Sequence, residues 1–455
     1  MLYELIVIGG GPAGYLAAER AGQSGLTVLL AEKRTLGGVC LNEGCIPTKT
    51  LLYSAKISDN ARFGEKYGVK AADVTLDHEA VIKRKNKVVR NLVAGVKAKM
   101  RKNNVTVVTG EAYIAGRNPK GAYEVRVGDA VYRGRRLLIA TGSVPVLPPL
   151  PGVQEGLKSG FVMTNREILD LMEVPADLVV VGGGVIGLEM ASYYQSAGSN
   201  VTVIELLDHI AGNTDPEIAQ ILLKNYQKKG IRFLLSTKVT AIEDKAVVCE
   251  SGGETLRVEA DKVLMSIGRR AATEGLGLEN IGVELERGRI KTDSRCQTNV
   301  PGVYAAGDVN GISMLAHTAY RESETAVNNM LGKKDIMRYH AIPSVIYTNP
   351  EVAGVGETEQ TAAEKGIEFE VKKLPMMYSG RYMAENEGGD GICKILVDKE
   401  HKRLIGVHMI GNYSSEIIYG AALMIEMEMR VDDVKELVFP HPTVSEIIRE
   451  TIFEF

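Results

Sequence analysis

Two copies of one local pattern constrain this chain more than any other feature. Leu5-Ile6-Val7-Ile8 runs into Gly9-Gly10-Gly11-Pro12-Ala13-Gly14, then a helical stretch, then Leu26 to Leu30 and Glu32. The same order returns at Leu178-Val179-Val180-Val181, Gly182-Gly183-Gly184-Val185-Ile186-Gly187, a helical stretch, Val201 to Ile204 and Glu205. In both copies the last glycine of G-x-G-x-x-G stands 18 residues before the acid. One such glycine run is weak. Strand, glycines, helix, strand and acid repeated at matching spacing predict two Rossmann-like α/β halves. The glycines let the backbone close on a pyrophosphate at a helix N-terminus, and the acid accepts hydrogen bonds from a ribose. A carboxylate at Glu205 repels a 2′-phosphate, so the second half is expected to take NAD rather than NADP.

The second constraint is the run Gly37-Gly38-Val39-Cys40-Leu41-Asn42-Glu43-Gly44-Cys45-Ile46-Pro47-Thr48-Lys49. Four intervening residues suffice for the chain to turn and the two sulfurs to meet as a disulfide. Pro47 is tolerated in the first turn of a helix, which places the helix start at Cys45. There the peptide dipoles favour the thiolate, the reactive form of sulfur. A redox pair directly after the first fingerprint assigns FAD to that half and NAD to the second. Pro301-Gly302-Val303-Tyr304-Ala305-Ala306-Gly307-Asp308 reads as a strand that leaves Asp308 beside a polar sugar chain. Leu138-Ile139-Ala140-Thr141-Gly142-Ser143 reads as a similar strand and turn returning to the FAD.

Composition excludes other classes. Net charge is −3, which leaves no nucleic-acid footprint. Five cysteines in 455 residues are too few for a disulfide scaffold, so a reducing compartment is expected, with Cys40 and Cys45 as the exception. No run of about 18 apolar residues suggests a membrane span, and no basic presequence precedes the first strand. A cytoplasmic protein without a metal site is the expectation.

These motifs resemble the pyridine nucleotide–disulfide oxidoreductases, nearest the branch that oxidises dihydrolipoamide. The likeness extends through Ser266-Ile267-Gly268-Arg269-Arg270, Met314-Leu315-Ala316-His317, Ile342 to Val352 and His441-Pro442-Thr443-Val444-Ser445-Glu446. It implies an NAD-reducing flavoenzyme that converts dihydrolipoamide to lipoamide, two dinucleotide domains and a C-terminal α+β dimerisation domain. It makes Cys40 the outer interchange thiol and Cys45 the inner thiol packed on the flavin as a charge-transfer donor. Thiol exchange needs a thiolate attacker, and a base must take the substrate proton. His441 is the candidate base, held by Glu446, and the resemblance supplies it from the partner subunit of a homodimer. Lys49 is placed by the flavin N5 edge, with Glu189 as its partner.

The FAD set by resemblance is Gly9, Gly11, Pro12, Ala13, Gly14, Glu32, Lys33, Gly38, Lys49, Ala112, Thr141, Gly142, Asp308, Leu315 and Ala316. The NAD set is Gly182, Gly184, Val185, Ile186, Gly187, Glu205, Val239 and Gly268. The implied macromolecular partner is a lipoyl-bearing carrier of a 2-oxo acid dehydrogenase, glycine-cleavage or acetoin-type complex. Departures from the family pattern are Val39, Thr48, Ala271-Ala272 and Phe439-Pro440, the last beside the dithiol channel. Rival readings are a reductase for another disulfide or a metal ion, and a flavoprotein that only scaffolds a complex.

Domain boundaries are expected at 1–149 for FAD, 150–270 for NAD, 271–338 completing the FAD side and 339–455 for the interface. Within them, helices are predicted near 76–103 and 414–428, and strands near 343–348, 392–397 and 403–410. Lys83 to Arg101 alternates basic and apolar residues and is expected to be a solvated amphipathic face. Cys249, Cys296 and Cys393 are isolated and expected to be unreactive.

Overall fold

A computed structural model describes residues 1–455, which divide into two compact units, 1–50 with 82–146 and 268–338, and 51–81 with 147–267 and 339–455. In the first unit, Leu2–Ile8 is the centre of a sheet because Leu5, Ile6 and Val7 are wholly buried, as a strand covered on both faces must be. Val28–Glu32 and Thr106–Thr109 extend the sheet in parallel on one side. Ala130–Ile139 lies on the other. That ten-residue strand has two partners in succession. Its first half pairs antiparallel with Tyr123–Val127, and its last residues pair in parallel with Val303–Ala305. The distant 303–305 segment is thereby set beside the nucleotide strand, and Asp308 follows at its end. Ile6, Leu29, Ile114, Leu137, Ile139 and Val303 share one core. Each such side chain contributes about 1.5–3 kcal/mol by leaving water.

The second unit repeats the pattern. Asp177–Val181 sits between Asn200–Ile204 and Lys262–Met265, all parallel, with Arg232–Leu234 and Val162–Met163 at the edges. Its C-terminal part is a five-stranded antiparallel sheet in the order Ser344–Ile346, Val352–Gly356, Leu404–Ile410, Ile392–Asp398, Phe369–Pro375. Helices Ser414–Glu426 and Glu446–Ile452 cover one face. Side chains such as Ala353, Val355, Ile395 and Val407 make the shared core. The α/β class with two Rossmann-like halves and a C-terminal α+β domain is the observed architecture. No helix is long and apolar enough to cross a membrane.

The His78–Lys102 helix and the Ser414–Glu426 helix lie within a residue or two of expectation. One basic residue of the first departs from it: Lys85 is 2% exposed rather than solvated. The alternation of basic and apolar residues describes the helix surface on average, and packing has drawn this one lysine inside.

Candidate active site

Each fingerprint builds the same cradle. The helices Pro12–Gln23 and Val185–Ala197 open at extended glycines, Gly11 and Gly184, with no side-chain cap and no acid in the first turn. Their leading N–H groups, including those of Ala13, Gly14, Val185, Ile186 and Gly187, are the ones a helix leaves unpaired at its N-terminus. The glycines fit the space. A Cβ on Gly14 would stand 1.7 Å from the Gly9 carbonyl oxygen, and one on Gly187 2.1 Å from that of Gly182. Gly184, by contrast, has nothing within 4 Å on its Cβ side, leaving the mouth of that cradle open. Unpaired donors, a dipole and open space are what a pyrophosphate requires.

The two acids do more than await a ribose. Glu32 Oε2 accepts from Gly10 N at 2.7 Å and Oε1 from Arg34 N at 2.7 Å. Glu205 repeats this with Gly183 N at 2.6 Å and Leu207 N at 2.8 Å. Each carboxylate thus ties the glycine turn to the end of the next strand and keeps further lone pairs for a sugar. Lys33 pairs with Glu111, next to Ala112, which is buried at the head of its strand. Val239 is nearly buried opposite Cys249, and Gly268 has φ +124 and accepts from Val146 N at 3.0 Å.

The cysteine run is folded onto the first cradle. Gly38 has φ +57, and a Cβ there would stand 2.6 Å from Gly11 Cα. Cys40 lies in the short helix Gly38–Asn42, and Cys45 is the first residue of Cys45–Arg62, with Lys49 one turn further on. The two thiols stand within hydrogen-bonding reach of one another, as the expected redox pair requires. The Cys40 thiol is driven far above its usual range, first by the Cys45 hydrogen bond, then by burial and the charge Cys45 would carry, while Lys49 pulls it down. Two touching sulfurs cannot both ionise, so the pair carries at most one negative charge, and Lys49 is the cation facing it.

Tyr15 and Tyr320 also stand within electrostatic reach of the pair, their hydroxyls 2.5 Å apart, with burial pushing both phenols up. No motif marks them; only the packing of helix Pro12–Gln23 on helix Ala316–Met330 brings them together. Leu315 is the extended N-cap of that second helix, which opens at Ala316 without a side-chain cap. Gly142 has φ +71, and Thr141 Oγ1 donates to Ala272 O at 2.7 Å. Asp308 Oδ2 accepts from Ser143 Oγ at 2.5 Å. Its backbone is fixed by fully buried Glu322, which takes Gly307 N at 2.6 Å and Asn310 Nδ2 at 2.9 Å.

In the second unit, His441 Nδ1 lies 2.8 Å from Glu446 Oε1, and Thr443 N donates to Glu446 Oε2 at 2.9 Å. Burial opposes ionisation of Glu446, but the Thr443 amide and His441 outweigh it and hold the carboxyl below the usual range. His441 itself is exposed, its side chain 78% accessible. Glu189 accepts from Tyr347 N at 2.9 Å. The remaining cysteines are buried with raised thiols, Cys393 to about 12, as unreactive sulfur should be.

Comparison with known proteins agrees with this geometry. The model of the pyridine nucleotide-disulphide oxidoreductases matches residues 3–323, and that of their dimerisation domain matches residues 342–452. Dihydrolipoyl dehydrogenase of Mycoplasma pneumoniae is 40% identical, the match covering 99% of this chain and 98% of the relative. Mitochondrial dihydrolipoyl dehydrogenase of Pisum sativum is 39% identical, over 98% of this chain and 90% of the relative. Among solved structures, the HOCl-induced flavoprotein disulfide reductase RclA of Escherichia coli superposes with a TM-score of 0.86 at 28% identity, over 99% of each chain. The chain belongs to the pyridine nucleotide–disulphide oxidoreductase family.

Proposed function

We propose that this protein is a dihydrolipoyl dehydrogenase, oxidising the dihydrolipoyl group of a carrier protein and reducing NAD⁺. The observation that carries the reading is the Cys40–Cys45 pair in sulfur contact at the head of a helix, with Lys49 one turn away and the first glycine cradle against Gly38. FAD, when bound in that cradle, supplies the two-electron relay between the sulfur pair and the nicotinamide.

The chain's own residues then divide the work. With the pair oxidised, a substrate thiolate attacks Cys40 Sγ; the S–S bond breaks and Cys45 leaves as a thiolate. The substrate's second sulfur attacks the mixed disulfide, releasing lipoamide and the Cys40 thiol. His441 Nε2 takes a proton at each of the two attacks, since Nδ1 is committed to Glu446; the first passes on to the departing Cys40 sulfur, and the second stays on the imidazole. Lys49 offsets the single negative charge left on the reduced pair. Glu205 holds the second nucleotide by its ribose and, with Leu206-Leu207-Asp208 following, offers no cation to a 2′-phosphate. Glu189, anchored on Tyr347 N, keeps its place among the catalytic residues in this reading.

A homodimer completes the site, with His441 serving the partner's cysteines. Its support is an apolar stripe along the Ser414–Glu426 helix and its C-cap: Tyr419, Leu423 and Met427, at four-residue spacing, are 72%, 50% and 66% exposed. Exposed Val438 adjoins the His441 segment. The lipoyl carrier belongs to a 2-oxo acid dehydrogenase, glycine-cleavage or acetoin-type complex in the cytoplasm, and the domain boundaries follow 1–149, 150–270, 271–338 and 339–455.

The test is NAD⁺ reduction by dihydrolipoamide on the FAD-loaded protein, with NADP⁺ in parallel and Cys45→Ser as control. NAD-specific turnover that vanishes in the variant is expected. Inactivity with dihydrolipoamide, alongside NADH-driven reduction of glutathione disulfide or Hg²⁺, would overturn the assignment.

A further inference from the structure

Asp308 lies at the end of a chain of three side chains whose hydrogen-bond directions are fixed by chemistry. Arg269 Nε donates to Ser143 Oγ at 2.7 Å, and its Nη2 donates to Ser143 O at 2.8 Å. An arginine can only donate. Ser143 Oγ has one proton, and the lone pair facing Arg269 is occupied, so that proton goes to Asp308 Oδ2 at 2.5 Å. Ser143 is 6% exposed. Its backbone is fixed by the two-stranded ribbon of Ser143–Pro145 with Arg269–Ala271, in which Ala271 pairs with Ser143 and Arg269 with Pro145. The carboxylate therefore has one oxygen engaged, while no hydrogen bond within the protein takes the other, Oδ1.

We propose that Arg269 and Ser143 are positioning residues for the cofactor. Through a one-way donor chain they rotate Asp308 so that Oδ1 alone is presented as the acceptor for one ribityl hydroxyl of FAD. The inference rests on the FAD reading of the first cradle. Arginine suits the site because its rigid planar fork spans Oγ and O of one serine at once; a lysine carries its donors on a single flexible ammonium without that fixed geometry. Glu322 fixes the backbone at Gly307, so the side-chain torsions of Asp308 are what the relay decides. Without the relay, the carboxylate is free to turn, and the contact to the cofactor is lost on average rather than removed.

The experiment measures the first-order release of flavin fluorescence from purified holoenzyme carrying FAD, or FAD analogues each lacking one ribityl hydroxyl. Wild type is compared with Ser143→Ala, Arg269→Gln and Arg269→Lys. A hydrogen bond to a charged group corresponds to a factor of about 10–150, so each variant is expected to release FAD about 10- to 100-fold faster. Wild type is expected to release one analogue faster by a similar factor, and the variants should not accelerate release of that analogue further. Arg269→Lys should behave as Arg269→Gln. Equal acceleration with every flavin would reduce the two residues to general scaffolding and overturn the proposal, as would no acceleration in Ser143→Ala, which deletes one oxygen and no packing. Wild-type protein that retains no FAD would instead overturn the cofactor reading on which the proposal stands.

Discussion

Replacing Glu446 with glutamine is expected to harm the enzyme more than replacing it with alanine. Glu446 serves two donors, His441 Nδ1 at 2.8 Å and Thr443 N at 2.9 Å. Alanine removes a hydrogen bond to a charged group, a loss of about 1.5–3 kcal/mol or roughly 10- to 150-fold in kcat. Glutamine has one acceptor oxygen for the two donors. The Thr443 N–H is covalently fixed as a donor, so the glutamine carbonyl stays with it and the amide NH₂ turns to the imidazole. The ring must then carry its proton on Nε2, the atom proposed to accept the substrate's proton. A comparable tautomer error in a catalytic triad costs about 10⁴-fold, so Glu446→Gln should fall between about 10³- and 10⁴-fold. The assay is stopped-flow reduction of the cysteine pair by dihydrolipoamide, beside steady-state kcat with NAD⁺. NADH-driven flavin reduction serves as an internal control and is expected to be unchanged. Glutamine activity equal to or above that of alanine would refute the tautomer argument. Equal loss in the NADH half-reaction would show that the substitution acts through folding.

Other substitutions separate packing from chemistry. Gly38→Ala places a Cβ 2.6 Å from Gly11 Cα at φ +57, so the cysteine run must move off the cradle and the purified protein should retain little flavin, read from its absorbance ratio. Lys394 is 3% exposed and touches Asp215 at 2.9 Å, Glu217 at 3.0 Å and Glu359 at 2.9 Å. Lys394→Met leaves the buried Asp215 carboxylate without its cation and should cost about 3–5 kcal/mol, lowering Tm by roughly 3–9 °C in calorimetry. Asp335 is held down to about 2, first by its hydrogen bond to Arg321. Its folded value is depressed, so its contribution is present above pH ~4, the unfolded value, and disappears as pH falls through about 2. Asp335→Asn should therefore destabilise by about 1–2 kcal/mol at pH 7, discounted because Arg321 is partly exposed, and by nothing at pH 1 in urea titrations.

Much of this was legible in the sequence because the determining interactions are local. A glycine that must admit a neighbouring carbonyl, as Gly14 does at Gly9, lies five residues from it. The helix start at Cys45 and the Glu446 grip on His441 also span only a few positions. Such contacts recur wherever the same short string recurs, so strand–turn–helix order and the sulfur pair can be read without coordinates. The distant partners could not. Val303–Ala305 joins its sheet beside Leu137–Ile139 because a buried parallel strand needs neighbours on both edges, yet nothing in those three residues names which strand accepts them. Lys85 is buried and Lys394 meets Asp215 across 179 positions; in the sequence both are ordinary lysines. Arg269 reaches Ser143 only because two distant loop ends pair as a ribbon. Local stereochemistry thus fixed the elements and the reactive atoms. The orientation of the groups that control those atoms came from burial, which is a property of the packed chain and of no short segment within it.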